Sequence, residues 1–181
     1  MAIDRQRRAT ALIVAACFFM ENLDGTIVTT AATAIGDSLG VTPAAIGLVI
    51  TSYLVTLAVF VPASGWLARR FGGRRIFLIA IALFTIASLG CALSTGLEML
   101  VVMRIIQGIG GALMVPVGRT IVVSKADKKD LISLVAYITW PALIAPVIAP
   151  LLGAIITSVA SWHWLFLINI PVSYKHLTLP T

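Results

Sequence analysis

The chain has 181 residues, 60% hydrophobic and 11% charged, with a formal net charge of +6 and a mean hydropathy of +1.06. A soluble domain carries about 25% charged residues, so this chain lacks the polar surface to cover itself in water and reads as a membrane protein. Its basic residues sit in short clusters between long apolar runs, not on one solvated face, which excludes a nucleic-acid-binding module; Cys17 and Cys91, each inside an apolar run, suit core packing and predict neither a disulfide nor a metal site.

A transmembrane helix needs about 20 apolar residues to cross the hydrocarbon core. After a tail at 1–8, the runs that qualify are Ala9–Ile35, Ala44–Ala68, Ile76–Ser94, Leu97–Val123 and Leu131–Ala160, within a bundle spanning 9–172; a sixth stretch at 162–172 is too short to cross. The predicted fold is all-α, a polytopic membrane helix bundle. Arg5, Arg7 and Arg8 precede the first span, Arg69, Arg70, Arg74 and Arg75 join the second and third, and Arg119, Lys125, Lys128 and Lys129 surround the connection from fourth to fifth. The connections Asp37–Pro43, Thr95–Gly96 and Ser161–His163 carry no Lys or Arg, so the positive-inside rule predicts a cytoplasmic N-terminus. All loops are short, and the protein's work is expected inside the bilayer.

Away from the span ends three charged residues remain: Glu21 and Asp24 in the first span and Arg104 in the fourth. Charges at such depth are expensive and normally face a bundle interior, where they find partners. At 1.5 Å per residue, Glu21 lies about 18 Å and Asp24 about 22 Å above the inner boundary, while Arg104, on a span running the other way, lies about 20 Å above it. Glu21 and Asp24, three residues apart, share a helix face, so both can point toward Arg104 if the two spans are neighbours. One reading is a permanent ion pair that fixes helix packing. The other is a proton site, because two carboxylates and one guanidinium leave one acid able to exchange a proton; which acid does so stays open.

Five stretches, in order along the chain, follow recognisable motif patterns. FFMENLDGTIVTTA at 18–31 resembles the L-D-x-T-I-V-N-x-A motif, with Asp24 at the motif acid. GWLARRFGGRR at 65–75 resembles the G-x-L-A-D-R-x-G-R-R loop, with Arg69 in place of Asp and Gly73 in place of Arg. LVVMRIIQGIGGA at 100–112 is similar to L-x-x-x-R-x-x-Q-G-x-G-x-A, with Arg104, Gln107, Gly108 and Gly110 in register. APVIAPLLGA at 145–154 resembles the motif G-P-x-x-G-G, with Ala149 and Ala154 replacing glycines, and SWHWLFLINIP at 161–171 matches the start of a sixth span. Together the five stretches resemble the major facilitator superfamily, and more narrowly its drug:proton antiporters of the fourteen-span EmrB/QacA type.

The resemblance implies a major facilitator fold, of which this chain would supply the N-terminal six-helix half with its sixth helix truncated. It implies proton coupling through Asp24, Glu21 and Arg104, and a cytoplasmic gate latch at Gly65, Arg70, Gly72, Arg74 and Arg75, where the Asp-to-Arg change weakens the charge relay. It also implies a flexing, leak-sealing fifth span around Pro146, Pro150 and Gly153, with Pro141 adding a further bend. Met20, Asn22, Gln107, Tyr53, Tyr137 and Trp140, with Met103, Met114 and Phe60, are the candidates to line a cavity for a lipophilic or cationic guest. Trp162 and Trp164 are expected in the interfacial belt.

The expected function is proton-coupled efflux of lipophilic or cationic drugs across a bacterial inner membrane. No cofactor is expected beyond the proton gradient. The expected partners are membrane lipid, the guest, the C-terminal half of the same transporter and, in Gram-negative hosts, a periplasmic adaptor. The alternatives are a metabolite or sugar uptake carrier of the same superfamily and a non-transporting half-bundle scaffold. An enzyme is not expected, since no H-E-x-x-H or G-x-S-x-G pattern occurs. Residues 173–181, SYKHLTLPT, are polar and are expected to be a non-native tail.

Overall fold

In the computed structural model, which describes residues 5–124, 126 and 130–170, the first helix, α1 (Arg5–Thr30), is followed by a turn at Ala31 and a short α2 (Ala32–Leu39). The predicted first span of 9–35 is therefore interrupted near its C-terminal end. Thr26, Thr29 and Thr30 donate their hydroxyls to the carbonyls of Asn22, Thr26 and Ile27, competing with the backbone ladder where the bond from Ala31 N–H to Ile27 O stretches to 3.3 Å. Gly40, at φ 64°, closes α2 in the left-handed conformation that stops a helix.

Thr42 opens the next helix, α3 (Pro43–Phe71), by accepting the Ala45 N–H at 3.3 Å, with Pro43 in the first turn, where its missing N–H is harmless. The expected loop at 69–75 is absent. Gly72 alone, at φ 89°, reverses the chain into α4 (Gly73–Ala92), because a residue without Cβ takes that conformation without a clash. Arg69 and Arg70 thus lie in the last turn of α3 and Arg74 and Arg75 in the first turn of α4. The helices α5 (Leu97–Ser124), α6 (Leu131–Val159) and a short α7 (Trp164–Leu167) complete the described chain, which contains no strand. α6 runs as one helix through Pro141, Pro146 and Pro150. Five segments are long and apolar enough to cross a membrane: Ala9–Thr30, Pro43–Phe71, Gly73–Ala92, Leu97–Ser124 and Leu131–Val159.

α5 is the central element, packed between α3 and α4 and against α1, while α1 lies along α6. Its glycines explain why it can be surrounded. A Cβ on Gly108 would stand 3.0 Å from the Tyr53 carbonyl of α3, one on Gly110 2.8 Å from the Phe84 nitrogen of α4, and one on Gly118 2.8 Å from the Phe77 ring. Without water to drive helices together, such close backbone approach is what membrane packing depends on. The same device joins α6 to α1 through Ala145, Ala149 and Gly153, all buried, with Gly153 seated against Thr30 and Ile27. Pro146 and Pro150 face outward from this contact. Trp164 is exposed, as an interfacial residue would be. Trp162, in contrast, is buried, stacked on His163 with centroids 3.8 Å apart and edge-on to Phe166, because the turn at 161–163 folds it into the core.

Candidate functional site

The costly charges meet in the middle of the bundle. Asp24 of α1 and Arg104 of α5, 1% and 0% exposed, form an ion pair between Oδ2 and Nη1. One helical turn beyond Arg104, Gln107 accepts from the same Nη1 at 2.9 Å and donates its amide to Asp24 Oδ1 at 3.0 Å. The i, i+3 spacing of Arg and Gln thus lets one α5 face hold both carboxylate oxygens. The guanidinium lies over the Tyr53 ring, 4.1 Å from its centroid, with the Phe166 ring 5.8 Å away. Its Nε and Nη2 are buried without a hydrogen-bond partner. Stacking on Tyr53 supplies part of what water would otherwise give.

Glu21 does not join this pair, which corrects the expectation that both acids turn toward the arginine. Its Oε1 accepts the Tyr53 hydroxyl at 3.3 Å and its Oε2 the Asn22 amide at 3.1 Å, and among the described residues it forms no ion pair. Asn22 also bonds back to the Phe18 carbonyl at 2.9 Å, so its amide is held by its own helix. Glu21 is half-buried, where Asp24 is sealed. Sharing one face of α1 does not give the two carboxylates one partner: Arg104 already has its carboxylate in Asp24, and Tyr53 meets Glu21 first.

Of the proposed cavity residues, Met20, Tyr53 and Gln107 are buried at this centre, together with Met114. Tyr137 and Trp140 point out of the bundle, Trp140 with 65% of its surface exposed, so in this half neither lines the space around Asp24. The physical reason is the face of α6: its small residues meet α1, which turns the large ones outward. Gly65, Arg69 and Arg74 instead border a separate cleft of about 580 Å³ near the arginine-rich end, walled by Val14, Phe77 and Val117 among others. A Cβ on Gly65 would meet no backbone, so this glycine does not serve close helix contact here. Arg70 and Arg75 are exposed beside it. Lys125, Lys128, Lys129 and 171–181 lie outside the described residues, as do the side chains of Arg5, Arg7 and Arg8.

Sequence reasoning did not single out the third arm of the cluster. Asn169, just past α7, donates its amide to Asp24 Oδ1 at 2.8 Å and to Ser88 Oγ at 2.9 Å, and Ser88 of α4 donates to the Phe166 carbonyl at 2.9 Å. Cys91 adds a weak thiol contact to Gln107 Oε1 at 3.7 Å. The signal in the sequence was an Asn inside an apolar run, which is a polar group that must find a buried partner.

The Major Facilitator Superfamily model matches residues 14–174. Multidrug resistance protein MdtD of Salmonella paratyphi B and that of Salmonella typhimurium are each 50% identical over 160 residues, covering 88% of this chain and 34% of the relative. The chain therefore spans about a third of the length of the curated relatives it matches. Among solved structures, the xylose transporter XylE from E. coli, partially occluded and inward open, aligns with TM-score 0.83 and 17% identity over 96% of this chain and 50% of that one. A bacterial homologue of the lysosomal transporter Spinster, inward-facing, aligns with TM-score 0.78 and 17% identity over 97% and 42%. At that identity the two solved structures bear on the fold alone. With the five spans, the buried cross-span ion pair and the family match in agreement, the chain is a multi-pass membrane protein that belongs to the Major Facilitator Superfamily.

Proposed function

We propose that this chain is part of a proton-coupled exporter of lipophilic or cationic drugs in a bacterial inner membrane, with its N-terminus in the cytoplasm. The observation that carries the reading is charge arithmetic at the centre: one guanidinium, one carboxylate locked to it, and a second carboxylate, Glu21, held only by neutral groups. With both acids ionised, the cluster carries one uncompensated negative charge in a low-dielectric setting. Either a proton or a monovalent cationic guest neutralises it. Their mutual exclusion is the coupling of an antiporter, a reciprocal linkage between two ligands of one charge. The 50% identity to a protein named for multidrug resistance supports drugs as the guest class. In this reading no cofactor takes part, the remaining two-thirds of the transporter closes the cavity, lipid surrounds it, and a periplasmic adaptor joins it where two membranes must be crossed.

The test is ethidium efflux from cells expressing the full-length transporter that carries this sequence, with and without a protonophore. Asp24→Asn and Arg104→Ala abolish the protonophore-sensitive component, and Glu21→Gln weakens its dependence on external pH. Wild-type efflux in both of the first two variants sinks the proposal.

A further inference from the structure

The mechanism so far uses α1 and α5 alone, yet Asp24 is held from a third direction. Its Oδ2 faces Arg104 and its Oδ1 receives two amides, Gln107 at 3.0 Å and Asn169 at 2.8 Å. Asn169 shares its amide with Ser88 Oγ at 2.9 Å, and that hydroxyl is committed as a donor to the Phe166 carbonyl at 2.9 Å, which leaves its lone pairs directed at the asparagine. Asn169 and Ser88 are each no more than 1% exposed. Asn169 therefore donates in two directions, one amide proton to Asp24 Oδ1 and one to Ser88 Oγ, and Ser88 passes its own proton on to the Phe166 carbonyl, so the Ser88 bond fixes the orientation in which the amide meets the carboxylate.

We propose that Asn169 and Ser88 are positioning residues that clamp Asp24 from α7 and α4, tying the carboxylate's protonation to the placement of the sixth span. The inference deepens the proposed function by adding an arm to its acid site. Its physical content is that Oδ1, whose two lone pairs receive two amides, takes a proton only as one of them lets go, and of the two donors Asn169 is the one that ties this release to the position of α7. Local hydroxyl bonds elsewhere on the same span do not have this consequence: Thr85 of α4 returns its proton to the Ile81 carbonyl of its own helix at 2.7 Å.

The experiment uses infrared difference spectroscopy on the full-length protein in lipid vesicles, titrated with pH, so that no drug has to be identified. The Asp24 carboxylate band is assigned by its loss in Asp24→Asn. In Asn169→Leu, close in size and without the donor, the apparent proton affinity read from that band changes by about threefold or more, roughly half a pH unit. Ser88→Ala, a smaller change that keeps the fold, changes it in the same direction by a lesser amount, and Thr85→Ala leaves it at the wild-type value. Titrations of Asn169→Leu and Ser88→Ala that superimpose on the wild type overturn the inference. That failure is distinguishable from failure of the antiport reading, which is decided by efflux in Asp24→Asn and not by this band.

Discussion

Asp24 and Arg104 show how a buried pair behaves when two nitrogens of the cation lack partners. Removing one member strands the other as an uncompensated buried charge, which costs about 3–5 kcal/mol, whereas replacing both by neutral groups of like volume is near neutral. Arg104→Met is therefore expected to lower the thermal midpoint of the purified full-length protein by several degrees, and Asp24→Asn combined with Arg104→Met to recover most of it while efflux stays lost. A double variant no more stable than Arg104→Met would mean that the pair's hydrogen bonds to Gln107 and Asn169, and not its charge balance, hold the centre. At this scale the legible part of the sequence was the part that violates membrane cost. Asp24, Glu21 and Arg104 are visible because a charge in an apolar run needs a reason. Asn169 and Ser88 carry no charge, and although an Asn inside an apolar run needs a partner, the partners lie 145 and 78 positions away in the chain, so nothing local named them. The division of labour between the two acids was equally hidden, since it is set by which side chain reaches Glu21 first, and that is Tyr53 from α3.

Helix packing around α5 rests on its glycines, of which Gly108 and Gly110 face backbone while Gly111 and Gly118 face side chains. Gly110 stands against Ala80 and Phe84, where a Cβ would come within 2.8–3.0 Å of main-chain atoms that cannot rotate away. Gly110→Ala is accordingly expected to destabilise the α4–α5 contact by about 1–3 kcal/mol, the range of overpacked interiors. Gly47→Ala, on α3 with nothing within 4 Å of its Cβ position, is the matched control and should be neutral. The comparison is made by detergent-induced or thermal unfolding of the two variants, and equal stabilities would show that α5 shifts to make room. The spans themselves were legible because apolar length is a direct physical requirement; their predicted starts lie within a few residues of the observed ones. What the sequence did not disclose was economy at the joints. The four arginines at 69–75 read as a loop because charge usually marks one, yet Gly72 reverses the chain alone and leaves the arginines on helix ends, where those of α3 sit at the negative end of the helix dipole. The interruption at Ala31 was likewise masked by an apolar run that continues through it.

Across the whole molecule, burial is uneven in a way that follows from having one central helix. In their most apolar stretches α1, α4 and α5 have 50–56% of residues buried, against 22% for α3 and 17% for α6. α3 presents Leu54, Val59 and Trp66, and α6 presents Trp140, Val147 and Leu151, as exposed large apolar side chains. Such faces have to meet lipid or further helices of the same protein, because water would expose too much apolar area. The proposed orientation rests on the charges at the ends. The arginines flanking Gly72 sit at one end of the bundle, while the turn at 93–96, with no basic residue, sits at the other. Both native cysteines are fully buried, so they contribute little background to thiol labelling. A membrane-impermeant maleimide applied to spheroplasts should therefore label Thr95→Cys directly, and label Arg75→Cys only after the membrane is permeabilised. The reverse pattern would invert the bundle and, with it, the side from which a proton reaches the two acids; labelling of both from outside would mean that the α3–α4 end does not cross, and the five-span topology would fail.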